Sequence, residues 1–272
     1  MPELPEVETV INYLKKQIIN SKILDVEIKN YKFLKNRNLE SFKNEVINKK
    51  ILDIKRKGKY LIFVLSDDLF MISHLRMEGK YFVDDKIQNR KHDYLIFKLS
   101  NDKYLSYNDS RQFGTFHLTN DLNSLNEIKK VAIDPLDDQF STDFLYKKTC
   151  KSKKNIKTLL LDQTIISGIG NIYASEILFD SKISPFKNAN ELSKNDINKI
   201  VVSSKKILKE AIKYNGTTIH SFSFGDNKTG EYNNYLKVVY RENKDCPVCK
   251  NEKIKRIKQQ SRSTFYCPNC QK

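Results

Sequence analysis

The chain has 272 residues, enough for two domains with buried cores and a small metal module. Its formal net charge of +16 and its pI of about 9.4 point to a polyanionic partner, since such an excess of positive charge attracts nucleic acid. No apolar run approaches the roughly 18 residues of a membrane span, and the N-terminus lacks the basic-then-apolar order of a signal peptide. We therefore expect a soluble intracellular protein with reduced cysteines.

The octapeptide PELPEVET at 2–9 directly follows Met1. Removal of Met1 would make the nitrogen of Pro2 a free secondary amine. Because the pKa of an α-amino group is about 8, a useful fraction of this amine is unprotonated and nucleophilic at neutral pH. Such an amine attacks aldehydic carbon to give an iminium, and Glu3 places a carboxyl beside it. The alternative is structural: Pro2 and Pro5 shape the start of a helix with acidic residues in its first turn.

Apolar periodicity then predicts one helix followed by many strands. The helix is indicated by Val7, Val10, Ile11, Leu14 and Ile18. From Ile23 to about Leu118 the pattern is strand-like, with runs at Leu24–Ile28, Tyr60–Leu65, Leu69–His74, Tyr94–Leu99, Tyr104–Asn108 and Thr115–Leu118. Short strands separated by turn residues predict an antiparallel sandwich.

The second half is predicted to be helical, after a polar segment at Thr119–Glu127 and a break at Asp134-Pro135. A long helix is indicated by Ile197, Ile200, Val201, Leu208, Ala211 and Ile212 on one face. Earlier, one helix is expected to end before Ser167 and another to begin near Asn171.

Between those two helices lie Gly168 and Gly170, which would let backbone N–H groups approach a phosphate. The basic residues Lys153, Lys154 and Lys157 lie nearby in the sequence. An ordinary tight turn is the alternative.

Two Cys-x-x-Cys pairs lie near the C-terminus, and 17 residues separate them. The pairs are Cys246 with Cys249 and Cys267 with Cys270. This spacing matches a four-thiolate zinc site with a β-ribbon between the pairs, at Ile254–Lys258 and Arg262–Tyr266. Disulfides are the alternative, but nothing indicates secretion. Cys150 has no partner motif and is expected to be an ordinary thiol.

The region around these cysteines is strongly basic, with ten Lys or Arg against three Asp or Glu from Lys237 to Lys272. A four-thiolate zinc site is itself negative, so the metal does not need these charges. Nucleic acid is the expected partner.

Seven motifs occur in order along the chain: MPELPEVET at 1–9, KGKYL at 57–61, HLRMEG at 74–79, KHD at 91–93, DSRQFG at 109–114, GIGNIYASE at 168–176 and SRSTFYCPNCQK at 261–272. With these motifs, the chain resembles the bacterial formamidopyrimidine-DNA glycosylases over essentially its full length. The resemblance implies an α+β fold in three domains, with DNA in the cleft between them. These are an N-terminal helix and antiparallel β-sandwich (1–131), a helical domain with a helix–two-turn–helix (132–235) and a C-terminal β-ribbon zinc finger (236–272).

The resemblance also implies catalytic roles. Pro2 matches the nucleophile that attacks C1′ of an oxidised purine nucleotide and forms a Schiff base, and Glu3 matches its acid/base partner. Lys59 matches a lysine that assists β-elimination, although a solvated lysine at a strand end is the alternative. Arg262 matches an arginine linked to phosphate contact and δ-elimination.

Other matches concern DNA contact. They are His92, Arg111, Lys153 and Asn171, together with a wedge of Met77, Arg111 and Phe113 that fills the step left by an extruded nucleotide. Lys154 is an alternative to Lys153, because the segment 151–157 is one residue shorter than in some relatives. Without the resemblance, Met77 and Phe113 would be core residues and His92 an ordinary polar residue.

The chain departs from the family pattern at three places. Ser110 replaces a common proline and Gln112 a common arginine, changes that would soften the wedge loop or remove a phosphate contact. The turn at 132–135 lacks the usual glycine, a linker variation without catalytic meaning.

The resemblance further implies one structural Zn²⁺, damaged double-stranded DNA as partner, no small-molecule cofactor, no membrane association and a monomer. A cytoplasmic, nucleoid-associated location in a bacterium is expected. Two other functions compete with the oxidised-purine glycosylase and lyase. An endonuclease VIII-like enzyme for oxidised pyrimidines is disfavoured by Leu4 and the Arg111–Phe113 pair. A non-catalytic zinc-finger nucleic-acid binder is disfavoured by intact Pro2, Glu3 and Lys59.

Overall fold

The computed structural model describes residues 1–218 and 229–272. These residues form two compact units. Unit 1 contains residues 1–129 together with the described part of 215–231, and unit 2 contains residues 130–214 and 232–272. The predicted domain boundaries after residues 131 and 235 stay predictions.

Unit 1 contains three helices and eight strands among its described residues. The helices are α1 (Leu4–Ile18), α2 (Leu39–Val46) and α3 (Asn126–Lys129). The strands are β1 (Ile23–Ile28), β2 (Ile51–Lys57), β3 (Tyr60–Leu65), β4 (Phe70–His74), β5 (Lys80–Asp84), β6 (Asp93–Leu99), β7 (Tyr104–Asn108) and β8 (Thr115–Thr119).

The strands form two four-stranded antiparallel sheets, in the orders β1-β6-β7-β5 and β2-β3-β4-β8. The apolar face of α1 packs into the same core as the inward side chains of both sheets. The predicted N-terminal helix and antiparallel sandwich are therefore confirmed. His74, the last residue of β4, lies opposite Tyr60 and Thr115, the first residues of β3 and β8. The loop that follows β4 and the loops that precede β3 and β8 therefore lie at the same end of one sheet.

Four elements of unit 1 were absent from the sequence prediction, namely α2, α3, β2 and β5. Of these, α2 is a helix inside a stretch that was predicted to be strand-like. Leu39, Phe42 and Val46 recur at helical spacing, and Phe42 and Val46 are buried. Asn38 caps this helix, because its Oδ1 accepts the Ser41 N–H at 2.8 Å.

Unit 2 combines helices with one β-ribbon. The elements are α4 (Thr142–Thr149), α5 (Ile156–Leu160), α6 (Asn171–Asp180), α7 (Lys194–Lys213), β9 (Lys255–Gln259) and β10 (Arg262–Tyr266). The predicted long helix, the helix beginning at Asn171 and the two strands of the ribbon are confirmed. Gln260 and Ser261 connect β9 to β10 with φ of 46° and 64°, the conformation of a tight two-residue hairpin turn. No helix among the described residues is long and apolar enough to cross a membrane.

Candidate active site

The start of α1 is held by a buried carboxylate. Glu6 is 2% exposed and accepts the Glu3 N–H at 2.8 Å. It also accepts the N–H of Thr217 at 2.7 Å and the Thr217 hydroxyl at 3.1 Å. Gly216 has a φ of 73°, and a Cβ there would lie 2.6 Å from Glu6 Oε1, so the close approach requires glycine. The buried Pro2 and the 3% exposed Glu3 are thus fixed by a segment far away in the sequence.

Lys59 lies beside Gly58 in the two-residue turn between β2 and β3 and is only 6% exposed. Arg56 ties this turn to the N-terminal helix: its Nε lies 2.6 Å from Glu8 Oε2, and its Nη1 donates to the Gly58 carbonyl at 3.5 Å. The alternative of a solvated lysine at a strand end is therefore wrong.

His74 fixes the turn that leads to Met77. Its Nδ1 accepts the Arg76 N–H at 2.9 Å, and Arg76 has a left-handed φ of 54°. Burial, together with the positive charges of Arg76 and Lys59, lowers the pKa of His74 to about 3. The imidazole is therefore neutral near pH 7, and Nδ1 remains a hydrogen-bond acceptor.

The three predicted wedge residues all lie at the surface of unit 1. Met77 is 39% exposed and Phe113 is 52% exposed. The guanidinium carbon of the exposed Arg111 lies 4.8 Å from the centroid of the Phe113 ring. The alternative of core residues is wrong for both apolar side chains.

Asp109 holds the wedge loop, which we define as residues 109–114, from the inside. Its fully buried carboxylate accepts the N–H groups of Arg111 (3.1 Å), Phe113 (3.0 Å) and Gly114 (2.8 Å). The Tyr107 hydroxyl donates to the same carboxylate at 3.3 Å. Burial raises the pKa of Tyr107, and the charge of Asp109 raises it further, so the hydroxyl stays protonated as a donor.

His92 lies beside the wedge loop. Its carbonyl oxygen accepts the Asp109 N–H at 3.1 Å, and its ring lies 6.3 Å from that of Tyr94. Among the described residues its buried Nδ1 has no hydrogen-bond partner. The predicted DNA contact at His92 thus lies next to the predicted wedge.

In unit 2, a buried lysine joins Asn171 to the zinc-finger ribbon. Lys157 is 2% exposed, and its Nζ donates to Asn171 Oδ1 (2.9 Å), the Ser263 carbonyl (3.0 Å) and Thr264 Oγ1 (2.8 Å). Asn171 Nδ2 also donates to the Ser263 carbonyl at 3.0 Å. The sequence analysis named Lys157 with Lys153 and Lys154 as a basic residue near the glycine turn, but its Nζ is bound to oxygens of the protein itself. Its three oxygen partners make it a structural cation.

The remaining basic candidates of unit 2 are exposed. Lys153 makes no ion pair with any described residue, whereas Lys154 lies 3.6 Å from Asp162. Arg262 is exposed at the start of β10, where it lines a cavity of about 290 Å³ together with Asp162 and Lys157. The pairing of Lys154 leaves Lys153 as the more available of the two cations.

The glycine turn offers fewer donors than the sequence indicated. The Gly168 N–H donates to Gln163 Oε1 at 2.9 Å, and Gln163 Nε2 donates to the Ile169 carbonyl at 2.8 Å. The Gly168 amide is therefore occupied by the protein itself.

Glu176 is an organising residue that the sequence analysis missed. It is 1% exposed, and its two oxygens accept the N–H groups of Lys237 (2.9 Å), Val238 (3.0 Å) and Val239 (2.9 Å). Burial raises the pKa of this carboxyl, and the three amide donors oppose that shift. Nothing in its local sequence marks this role, because its partners lie about sixty residues further along the chain.

The four predicted zinc ligands lie together in unit 2. The Sγ atoms of Cys246, Cys249, Cys267 and Cys270 all lie within 4.8 Å of one another, with the closest pairs at 3.6 and 3.7 Å. Tetrahedral coordination with Zn–S bonds of about 2.3 Å requires S–S distances of about 3.8 Å, so the cluster fits zinc with no open position.

Comparison with known proteins identifies these modules. The N-terminal domain model of formamidopyrimidine-DNA glycosylase matches residues 1–116, its H2TH domain model matches 131–223, and the zinc finger found in this family and in IleRS matches 244–272. The formamidopyrimidine-DNA glycosylase of Mycoplasma genitalium is 46% identical over 100% of this chain and 96% of its own length. The chain belongs to the formamidopyrimidine-DNA glycosylase family.

Two solved structures of the Lactococcus lactis family member agree with this assignment, each at 39% identity. A complex of a point mutant of that protein with Fapy-dG-containing DNA has a TM-score of 0.93 and covers 100% of both chains. A complex with abasic-site DNA has a TM-score of 0.91 and covers 99% of both chains. The predicted family, fold class, type of enzyme and structural zinc site are thereby confirmed.

The predicted site residues fall into two groups, each within one unit of this family member. Unit 1 carries Pro2, Glu3, Lys59, Met77, His92, Arg111 and Phe113, and unit 2 carries Lys153, Asn171, Arg262 and the four cysteines. Sequence reasoning missed Glu6, Asp109 and Glu176, carboxylates that hold the backbone around these residues.

Proposed function

We propose that this chain is a bifunctional DNA glycosylase and AP lyase that excises oxidised purines, 8-oxoguanine and formamidopyrimidines, from duplex DNA. The observation that carries this proposal is the surface of unit 1 at Met77, Arg111 and Phe113. Met77 follows the turn fixed by His74, and Arg111 and Phe113 lie on the loop held by Asp109. Two exposed apolar side chains and a guanidinium suit a base step from which a nucleotide has been extruded.

The first chemical step is nucleophilic. After Met1 is removed, the amine of Pro2 attacks C1′, the bond from C1′ to the base breaks, and the base leaves with the electron pair and takes up a proton. The C1′–O4′ bond then opens while the Glu3 carboxyl protonates O4′, which leaves an iminium between Pro2 and C1′. The buried setting of Glu3, anchored through Glu6, supports this role.

The lyase steps follow from that iminium, which acidifies the C2′ proton. Loss of this proton breaks the C3′–O bond and frees the downstream strand, which keeps the phosphate at its 5′ end. A second elimination breaks the C5′–O bond and leaves the other phosphate at the 3′ end of the upstream strand. Lys59, buried beside His74, assists the first elimination. Arg262 neutralises the phosphate during the second. Hydrolysis of the iminium regenerates the amine.

DNA contact is distributed over both units. His92, Lys153 and Asn171 contact the backbone, and the zinc, when bound, holds the finger that carries Arg262. Arg111 offers only donors, which suit the O2 and N3 acceptors of a cytosine left opposite the lesion. The L. lactis complexes with damaged DNA support damaged duplex DNA as the partner. The monomeric state and the bacterial cytoplasmic location stay predictions.

Single-turnover excision by the Met1-free protein tests this proposal, on a duplex with one 8-oxoguanine opposite cytosine. We expect base release followed by strand cleavage. Glu3→Gln should slow base release by about 10²- to 10⁴-fold, the usual contribution of a general acid. Glu40→Gln, at an exposed glutamate of α2, is the matched control and should leave the rate unchanged. An intact duplex after prolonged incubation with the wild-type protein would contradict the proposal.

A further inference from the structure

Gln112 lies in the wedge loop between Arg111 and Phe113 and has a φ of 55°. Residues other than Gly, Asn and Asp rarely adopt this left-handed conformation. Its side chain makes two hydrogen bonds away from the loop. Nε2 donates to the Tyr94 hydroxyl at 2.9 Å, and Oε1 accepts from Asn30 Nδ2 at 2.8 Å.

Both partners of Gln112 are themselves anchored. The Oδ1 of Asn30 accepts the Lys32 N–H at 3.0 Å and caps the short 3-10 helix Tyr31–Phe33. The ring of Phe33, which is 1% exposed, packs 5.2 Å from the ring of Tyr94 on β6. The two hydrogen bonds therefore complete a closed path of contacts from Gln112 through Tyr94, the 3-10 helix and Asn30 back to Gln112.

We propose that Gln112 is a positioning residue that clamps the wedge loop to the sandwich and so fixes Arg111 and Phe113 for entry into the duplex, an inference that rests on the function proposed above. Asp109 holds the loop backbone from the inside, and Gln112 holds it from the outside. The clamp therefore counteracts the loss of rigidity that the sequence analysis expected in the wedge loop from glutamine at position 112.

The chemistry of the side chain explains why an amide serves here. An amide offers both a donor and an acceptor, so it can satisfy the Tyr94 hydroxyl and the Asn30 amide at once. The arginine common in the family offers only donors and cannot accept from Asn30 Nδ2. A loop held in place before binding loses less conformational freedom when it inserts, so the clamp favours insertion in one orientation.

Three single variants each remove part of the clamp. Gln112→Asn keeps the amide and suits the left-handed backbone, but it is one methylene too short to bridge both partners. Tyr94→Phe removes only the hydroxyl. Asn30→Ser keeps a side-chain oxygen that can cap the 3-10 helix and removes the Nδ2 donor. Gln88→Asn, at an exposed glutamine, is the matched control.

Hydrogen exchange of the peptide 109–114 in the free protein tests the clamp without any DNA. Each of the three variants should exchange faster by about threefold to tenfold, as expected when one hydrogen bond is lost. The combination of Gln112→Asn with Tyr94→Phe should cost less than the sum of the two single effects, because both variants break the bridge through Gln112. Exchange equal to wild type in Gln112→Asn, or fully additive effects in the double variant, would overturn the clamp.

Single-turnover kinetics test whether the clamp affects the preference for cytosine over adenine opposite the lesion. In the three variants, excision of 8-oxoguanine opposite cytosine should fall by about threefold to tenfold and the ratio between cytosine and adenine opposite the lesion should narrow. Cleavage of a preformed abasic site should fall less, since no base is unstacked there. An unchanged ratio in all three variants would overturn the role in positioning. A wild-type protein without excision activity would reject the proposed function instead, and the exchange data alone would then decide whether the clamp exists.

Discussion

The imidazole of His74 connects the charge state of one residue to the stability of the fold. Its pKa is about 3 in the folded protein, against 6.5 for an unperturbed histidine, chiefly because the ring is buried. As the pH falls through 6.5, the unfolded chain takes up a proton that the folded chain cannot accept until about pH 3. The contribution of His74 to stability is therefore full above pH 6.5 and is lost progressively between these two values.

This linkage predicts a difference between wild type and His74→Asn, whose side-chain oxygen can still accept the Arg76 N–H. Urea unfolding at pH 6.5 and pH 4.5 should show that wild type loses about 2–3 kcal/mol more stability than the variant, since each pKa unit corresponds to about 1.4 kcal/mol. Other groups titrate equally in both proteins. Parallel pH profiles would show that the ring is protonated as easily in the folded state as in the unfolded state.

Gly114 ends the wedge loop at a position with no space for a side chain. A Cβ there would lie 1.8 Å from the Tyr107 hydroxyl oxygen, the atom that donates to Asp109. Gly114→Ala should therefore destabilise unit 1 by about 1–3 kcal/mol, as overpacked sites do. In a Tyr107→Phe background, which lacks that oxygen, the same substitution should cost clearly less. Equal costs in the two backgrounds, measured by thermal unfolding, would contradict this account of the contact.

At the scale of secondary-structure elements, the periodicity of apolar residues predicted most of the helices and strands that pack into a core. The strands at 60–65 and 104–108 and the helix over 194–213 were indicated correctly because their side chains alternate or recur toward one large core. Helix α2 was missed, although Leu39, Phe42 and Val46 have helical spacing, because its 8 residues lie within a long strand-like stretch.

Contacts between segments that are distant along the chain could not be predicted from the sequence. Glu6 meets Thr217 across 211 residues, and Lys157 meets Thr264 across 107 residues. Their local sequences look like an ordinary acidic first turn and an ordinary basic surface. Only the fold shows that one carboxylate anchors the N-terminus and that one lysine ties Asn171 to the finger ribbon. Motif matches nominated the candidates for DNA contact, which stay predictions, whereas no motif indicated the groups that hold them.

The zinc finger allows a prediction for one element. Cys249→Ser should release the metal, because a site with four thiolates and no open position loses most of its affinity with one ligand. Elemental analysis should find about one zinc in wild type and little in the variant, while circular dichroism shows the sandwich still folded. Cys150→Ser, at a cysteine outside the cluster, is the matched control and should retain zinc. Full zinc content in Cys249→Ser would show that the metal is held elsewhere.

At the scale of the whole molecule, the attraction to DNA and the covalent chemistry depend on different features of the chain. The excess of 49 Lys and Arg over 33 Asp and Glu draws the chain to a polyanion, while the chemistry is assigned to one nitrogen at its start. That nitrogen is nucleophilic only when nothing is bonded ahead of Pro2, because an amide nitrogen has no free lone pair.

Borohydride trapping with peptide mapping tests that assignment most directly. Borohydride delivers a hydride to the iminium and converts it to a stable amine. With Met1-free protein and an 8-oxoguanine duplex, we expect a protein–DNA adduct linked through Pro2, and no adduct when an extra residue is retained ahead of Pro2. An adduct mapped to a lysine, or undiminished trapping by the extended chain, would contradict the account.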